Sequence, residues 1–140
     1  MANDNQLEEA FRKKAGELIT FKDISALSRL SLSHSGQLAG VLNSNYCRTV
    51  VNALKNLRGR KLRDVKAENI LITCAKEGWH KKGNKQAAGP FASGSKLFQG
   101  ANWIGKITKG TNDYAHCSHL VYLYIPNPRM RELMVRWFSS

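Results

Sequence analysis

Apolar residues recur at helical spacing through residues 1–60 and gather into short unbroken runs beyond them. Leu7, Phe11 and Leu18 mark one face of an expected helix that ends near Ile19, opened by an Asn5/Glu8 pair that resembles a capping box. Thr20 and Asp23 form a second such pair, ahead of a helix with Ile24, Leu27 and Leu30 inward. After a Ser-rich turn at 31–35, a short helix with Leu38, Val41 and Leu42 apolar is expected, interrupted by Asn43, Ser44 and Asn45. The clearest periodicity lies at 46–58. Tyr46, Val50, Leu54 and Leu57 make one stripe, and Asn45, Arg48, Thr49, Asn52, Lys55 and Asn56 occupy the opposite face. Gly59 is the expected stop.

The run Asn69, Ile70, Leu71, Ile72, Thr73, Cys74 reads as a buried strand. Residues 103–108 and 120–125 read as two more, with a turn at Thr111, Asn112 and Asp113 between them. Residues 78–100 are rich in Gly, Lys and Ser and read as a long basic loop. Met130, Leu133, Met134 and Trp137 suggest a closing amphipathic helix, and Trp137-Phe138 is either a core anchor or a homodimer contact. The expectation is one α+β domain over 1–140. Its helical half, 1–60, holds a helix-turn-helix-like pair; 67–140 holds a small antiparallel sheet, basic loops and a C-terminal helix.

Composition narrows the class. With 140 residues and 42% hydrophobic content, the chain is long enough for one real core and too apolar for a disordered basic tail. Cys47, Cys74 and Cys117 are odd in number and sparse, so they do not read as a disulfide framework. The polar N-terminus shows no secretory signal, and the apolar stretch at 120–125 falls far short of the roughly 20 residues of a membrane helix. A soluble, cytoplasmic protein without membrane contact is expected.

Charge changes the picture most. The net charge is +12 and the pI about 10.0. From residue 24 to 63 there is no acid, while Arg29, Arg48, Lys55, Arg58, Arg60, Lys61 and Arg63 are all cationic. A second acid-free run between Glu77 and Asp113 carries Lys81, Lys82, Lys85, Lys96, Lys106 and Lys109. Unbalanced charge repels itself and weakens the compact state, so so one-sided a field points to a polyanionic partner, most commonly nucleic acid. An acidic protein surface is the other partner of that charge.

A short helix, a turn and the helix at 46–58 have the outline of a helix-turn-helix, whose second helix reads the major groove. Arg pairs with guanine and Asn with adenine, which gives Arg48, Thr49, Asn52, Lys55 and Asn56 suitable chemistry at suitable spacing. Arg58, Arg60, Lys61 and Arg63 would hold phosphates. The tip with Lys81, Lys82 and Lys85 resembles the wing of a winged helix. Trp79 is expected either to stack on an unpaired base or to lie in the core. DNA is favoured over RNA, for which Trp79 and Trp103 would stack bases.

Other residues suggest other chemistries. Residues 100–108 miss the phosphate-binding P-loop, because Ile107 stands where that loop needs Ser or Thr after Lys106. Cys74, His80, His116, Cys117 and His119 are too loosely spaced to define a zinc site, and no metal or cofactor is expected. Asp64 and Glu68, at i and i+4, would share one face if helical, and with the histidines allow a small nuclease as an alternative. Cys47 lies at a helix start and His119 at the start of an apolar run. That order resembles the papain-like fold of cell-wall amidases and related acyltransferases. The resemblance implies a thiol hydrolase or acyltransferase with Cys47 and His119 catalytic. The favoured reading remains a non-enzymatic nucleic-acid-binding regulator or accessory factor.

Overall fold

A computed structural model describes residues 17–20, 24–81, 84–93, 98–105 and 116–124. The expected helix over 7–19 begins outside these residues, and its end is a strand: β1, Glu17–Thr20. Ile19 is buried there, and the β-branched Ile-Thr pair takes a place beside β6, His119–Tyr122. Sheet pairing overrides the helical spacing, as tertiary context commonly does with weak local preference. In place of the expected second helix there is one 3-10 turn, Ser25–Leu27, whose Leu27 is fully buried.

The next two helices follow the pattern more closely. Helix α1 spans His34–Gly40 and is capped by Ser33, whose side chain accepts from Gly36 N. Three residues later α2 spans Ser44–Arg60, capped by Asn43 accepting from Tyr46 N at 3.0 Å. Val41 closes α1, and Asn43 opens α2 because its side chain satisfies a first-turn N–H. Gly59 does not stop α2. The helix runs on through it to Arg60, and the only positive φ among the described glycines is at Gly100.

The main correction concerns the sheet. β2, Ile70–Thr73, lies between β6 and β5, Asn102–Ile104, and β6 lies between β1 and β2. All three pairings are parallel, not antiparallel as expected. The sequence signal was present: β2 and most of β6 are buried on both faces, as parallel strands are. Helices and sheet together still make this an α+β protein.

Between β2 and β5 the described part of the expected basic loop forms regular elements. It contains α3 (Lys76–Trp79), an antiparallel hairpin of β3 (His80–Lys81) with β4 (Asn84–Ala88), and α4 (Pro90–Ser93). The turn at 111–113 and the closing helix at 130–137 lie outside the described residues. Among the described residues, no helix is long and apolar enough to cross a membrane.

The core sits between α2 and one sheet face. Val50, Ala53, Leu54 and Leu57 pack with Ile70, Ile72, Val121 and Ile19, closed by Leu62, Phe91 and Phe98. On α1 the expected orientation fails. Leu42 lies past the helix end, 89% exposed, while the polar Gln37 is fully buried. Gln37 Nε2 donates to Leu32 O and Leu123 O, each at 3.1 Å, and Oε1 accepts from Ala75 N at 2.8 Å. Backbone groups beyond the ends of β2 and β6 need partners, and this amide supplies donor and acceptor together.

Replacing Gln37 by Leu would leave three buried backbone groups without a partner. Each costs about 1–3 kcal/mol, so Gln37→Leu is expected to destabilise the protein by on the order of 3 kcal/mol. Urea unfolding measures this; an unchanged midpoint would show that the amide ties nothing together.

Candidate nucleic-acid interface

Helix α2 has two sides, and the core settles which is which. With Val50, Val51, Ala53, Leu54 and Leu57 buried, Arg48, Asn52, Lys55, Asn56 and Arg60 are exposed. Positions 48, 52, 55 and 56 are i, i+4, i+7 and i+8, one continuous strip of helix surface. Thr49 is half-buried, and its Oγ1 donates to Asn45 O at 2.9 Å, so its hydroxyl turns back on its own helix. Arg58 is also half-buried and donates to Leu62 O. Lys61 and Arg63 are exposed just beyond the helix.

The start of α2 is held firmly. The Tyr46 ring lies over Gly40, where an added Cβ would come within 2.4 Å of ring carbon. Tyr46 OH donates to Ser31 O at 2.6 Å, and the ring stacks on Phe91 with centroids 6.0 Å apart. Burial pushes the Tyr46 hydroxyl up to about 12, so it stays protonated and keeps donating.

The hairpin residues are less uniform. Lys81 is exposed on β3; Lys82 lies outside the described residues; Lys85 lies on β4, where only the backbone is described. Trp79 belongs to the core, 7% exposed and edge-on to Phe98, which removes it from base stacking. Trp103 is half-buried; its Nε1 donates to Cys74 O at 3.1 Å and its ring meets His80 edge-on at 4.7 Å. The near-P-loop segment is strand β5 at its centre.

The candidate catalytic pair sits on separate elements. Cys47, early in α2, donates to Gly40 O at 3.5 Å and Val41 O at 3.6 Å, carbonyls at the end of α1. His119 opens β6, in register with Glu17 and Ile70, and its Nδ1 shares a hydrogen with Ser118 Oγ at 2.8 Å. Burial raises the Cys47 thiol above its ordinary value, opposite to the lowering that a helix N-terminus gives. Cys74 is driven to about 12 and Cys117 to about 11, both by burial.

Asp64 and Glu68 do not share a helix: Asp64 lies in the turn after Leu62, and Glu68 in the 3-10 turn Ala67–Asn69. Among the described residues no cluster of three or more His, Cys, Asp or Glu side chains could hold a metal ion. His116 Nε2 lies 3.6 Å from Cys117 Sγ, and Asn102 Nδ2 donates to the same sulfur at 3.4 Å. Cys117, however, is only 1% exposed, closed to a substrate.

Compared with protein-family models, with curated proteins and with solved structures, the chain matches none.

All three cysteines are free, and Cys74 and Cys117 are buried. In the native protein, iodoacetamide is expected to label Cys47 first and more slowly than a free cysteine standard at pH 7, because a raised pKa leaves less thiolate. The rate should climb as pH rises. Labelling faster than the standard would revive the thiol-catalysis reading.

Proposed function

We propose that this protein binds nucleic acid through the outward face of α2, as a non-enzymatic regulator or accessory factor, with DNA favoured over RNA. The observation that carries the proposal is the exposure of Arg48, Lys55, Arg60, Lys61 and Arg63 on and just beyond one helix, in a stretch from 24 to 63 without an acid. Phosphates attract such a face at long range and release counterions on contact. Asn52 and Asn56 add groups that pair with base edges. The helix α1, the three-residue link and α2 are read as a helix-turn-helix-like pair, with Lys81, Lys82 and Lys85 as flanking phosphate contacts. Three free cysteines fit a reducing, cytoplasmic setting.

Titration against duplex DNA, single-stranded DNA and duplex RNA at several salt concentrations tests this. Steeply salt-dependent binding to one form is expected; no binding at low salt would overturn the proposal. The double variant Arg60→Ala with Lys61→Ala should weaken binding to every sequence and flatten the log–log salt slope by about two. Asn52→Ala should instead cost preferred duplex sites roughly 1–3 kcal/mol and spare random duplex. Equal losses on both would assign Asn52 no part in base reading.

A further inference from the structure

The face of α2 is not a smooth cylinder. Where it passes the 3-10 turn Ser25–Leu27, a cleft of about 210 Å³ opens between the two. Its floor is apolar, made by Ile24, Ala53 and Leu57, all nearly buried. Ala53 makes the depression: it falls among Val50, Leu54 and Leu57 on the buried side of α2 but is much smaller than they are. Ala26 forms the outer wall and is exposed. The rim is polar and cationic, with Asn56, Arg60 and Lys61, and among the described residues no acid lines the cleft.

Size and chemistry together limit the occupant. Pockets for drug-sized ligands run to roughly 300–1,000 Å³, so this one takes a fragment, such as a single ring system. An apolar floor favours a flat, weakly hydrated group. The Asn56 amide carries donor and acceptor side by side, the pattern a base edge requires. A cationic rim suits the phosphate joined to that base. We propose, resting on the nucleic-acid reading above, that this cleft seats one unpaired base of a nucleic-acid strand, with Ile24, Ala53 and Leu57 against its face, Asn56 on its edge, and Arg60 and Lys61 on the adjoining phosphate. Sites that receive an unstacked base combine apolar walls with polar groups on the base edge in this way.

The probe is a single-stranded DNA bearing one 2-aminopurine, paired with an otherwise identical strand that is abasic at that position. The wild-type protein should change the 2-aminopurine emission saturably and bind the base-bearing strand more tightly than the abasic one. Ala26→Trp fills the cleft from its exposed wall. It should abolish the emission change and weaken binding of the base-bearing strand by about tenfold, leaving the salt slope unchanged. Arg60→Ala should do the reverse, lowering the slope while keeping the emission change. Asn56→Leu, which keeps the apolar volume, should erase preference among the four bases without erasing binding. If Ala26→Trp binds both strands as the wild type does, with the same salt slope, the cleft seats no base and the surface reading stands alone. If the wild-type protein binds neither strand nor duplex at low salt, the nucleic-acid reading fails, and this inference with it.

Discussion

One buried amide holds the architecture in register. Gln37 joins α1 to the backbone beyond β2 through Ala75 N and beyond β6 through Leu123 O, and closes its own approach loop through Leu32 O. A leucine there would bury more apolar surface but would leave these groups unpaired in a site with no access to water. An ionised glutamate would set its charge against two carbonyls. Only an amide meets two acceptors and one donor at once. Fixing α1 fixes Gly40, and Gly40 fixes Tyr46, whose ring lies over it. Tyr46 belongs to the first turn of α2, so the start of the basic helix is set by a chain of contacts running back to the sheet.

That chain explains how the protein tolerates its charge. Cations gathered on one face repel each other and work against compaction. Here the opposing side of α2 is anchored by Val50, Ala53, Leu54 and Leu57 in the main core, and hydrophobic burial is the dominant favourable term in folding. The strip of Arg48, Asn52, Lys55, Asn56 and Arg60 therefore does not need to contribute to the fold. Arg58 turns inward to cap Leu62 O, a carbonyl just beyond the helix end, where a positive group also suits the helix dipole.

The elements that sequence made legible were those with one dominant local signal. The stripe at Tyr46, Val50, Leu54 and Leu57 located α2 within two residues at each end. Apolar runs located β2 and β6. Direction of pairing was not legible from alternation, because it depends on which distant strands meet. Yet unbroken burial in Ile70–Thr73 is itself a parallel-sheet mark. β1 was misread because its four residues carry a helix-compatible spacing and form a strand only by pairing with β6, a hundred residues later. Gln37 is hidden beside Leu38 and Leu42, since polar residues ordinarily face outward and strand ends that need partners leave no mark in local sequence. The cleft had a fainter trace: an alanine at position 53 on a stripe of branched side chains.

The position of the proposed binding face is consistent with what occupies the usual one. In open parallel sheets, ligands bind in the crevice beyond the carboxyl ends of the strands. Here, among the described residues, that end is filled by the protein itself. Gln37 takes Ala75 N and Leu123 O, Cys74 is buried with a thiol pushed to about 12, and Tyr46 and Phe91 stack alongside. The opposite end presents His119 and Ser118 bonded to each other and a Cys117 closed from solvent. The basic surface lies on the outward side of α2, where Arg48, Lys55 and Arg60 are exposed and the proposed polyanion would meet them.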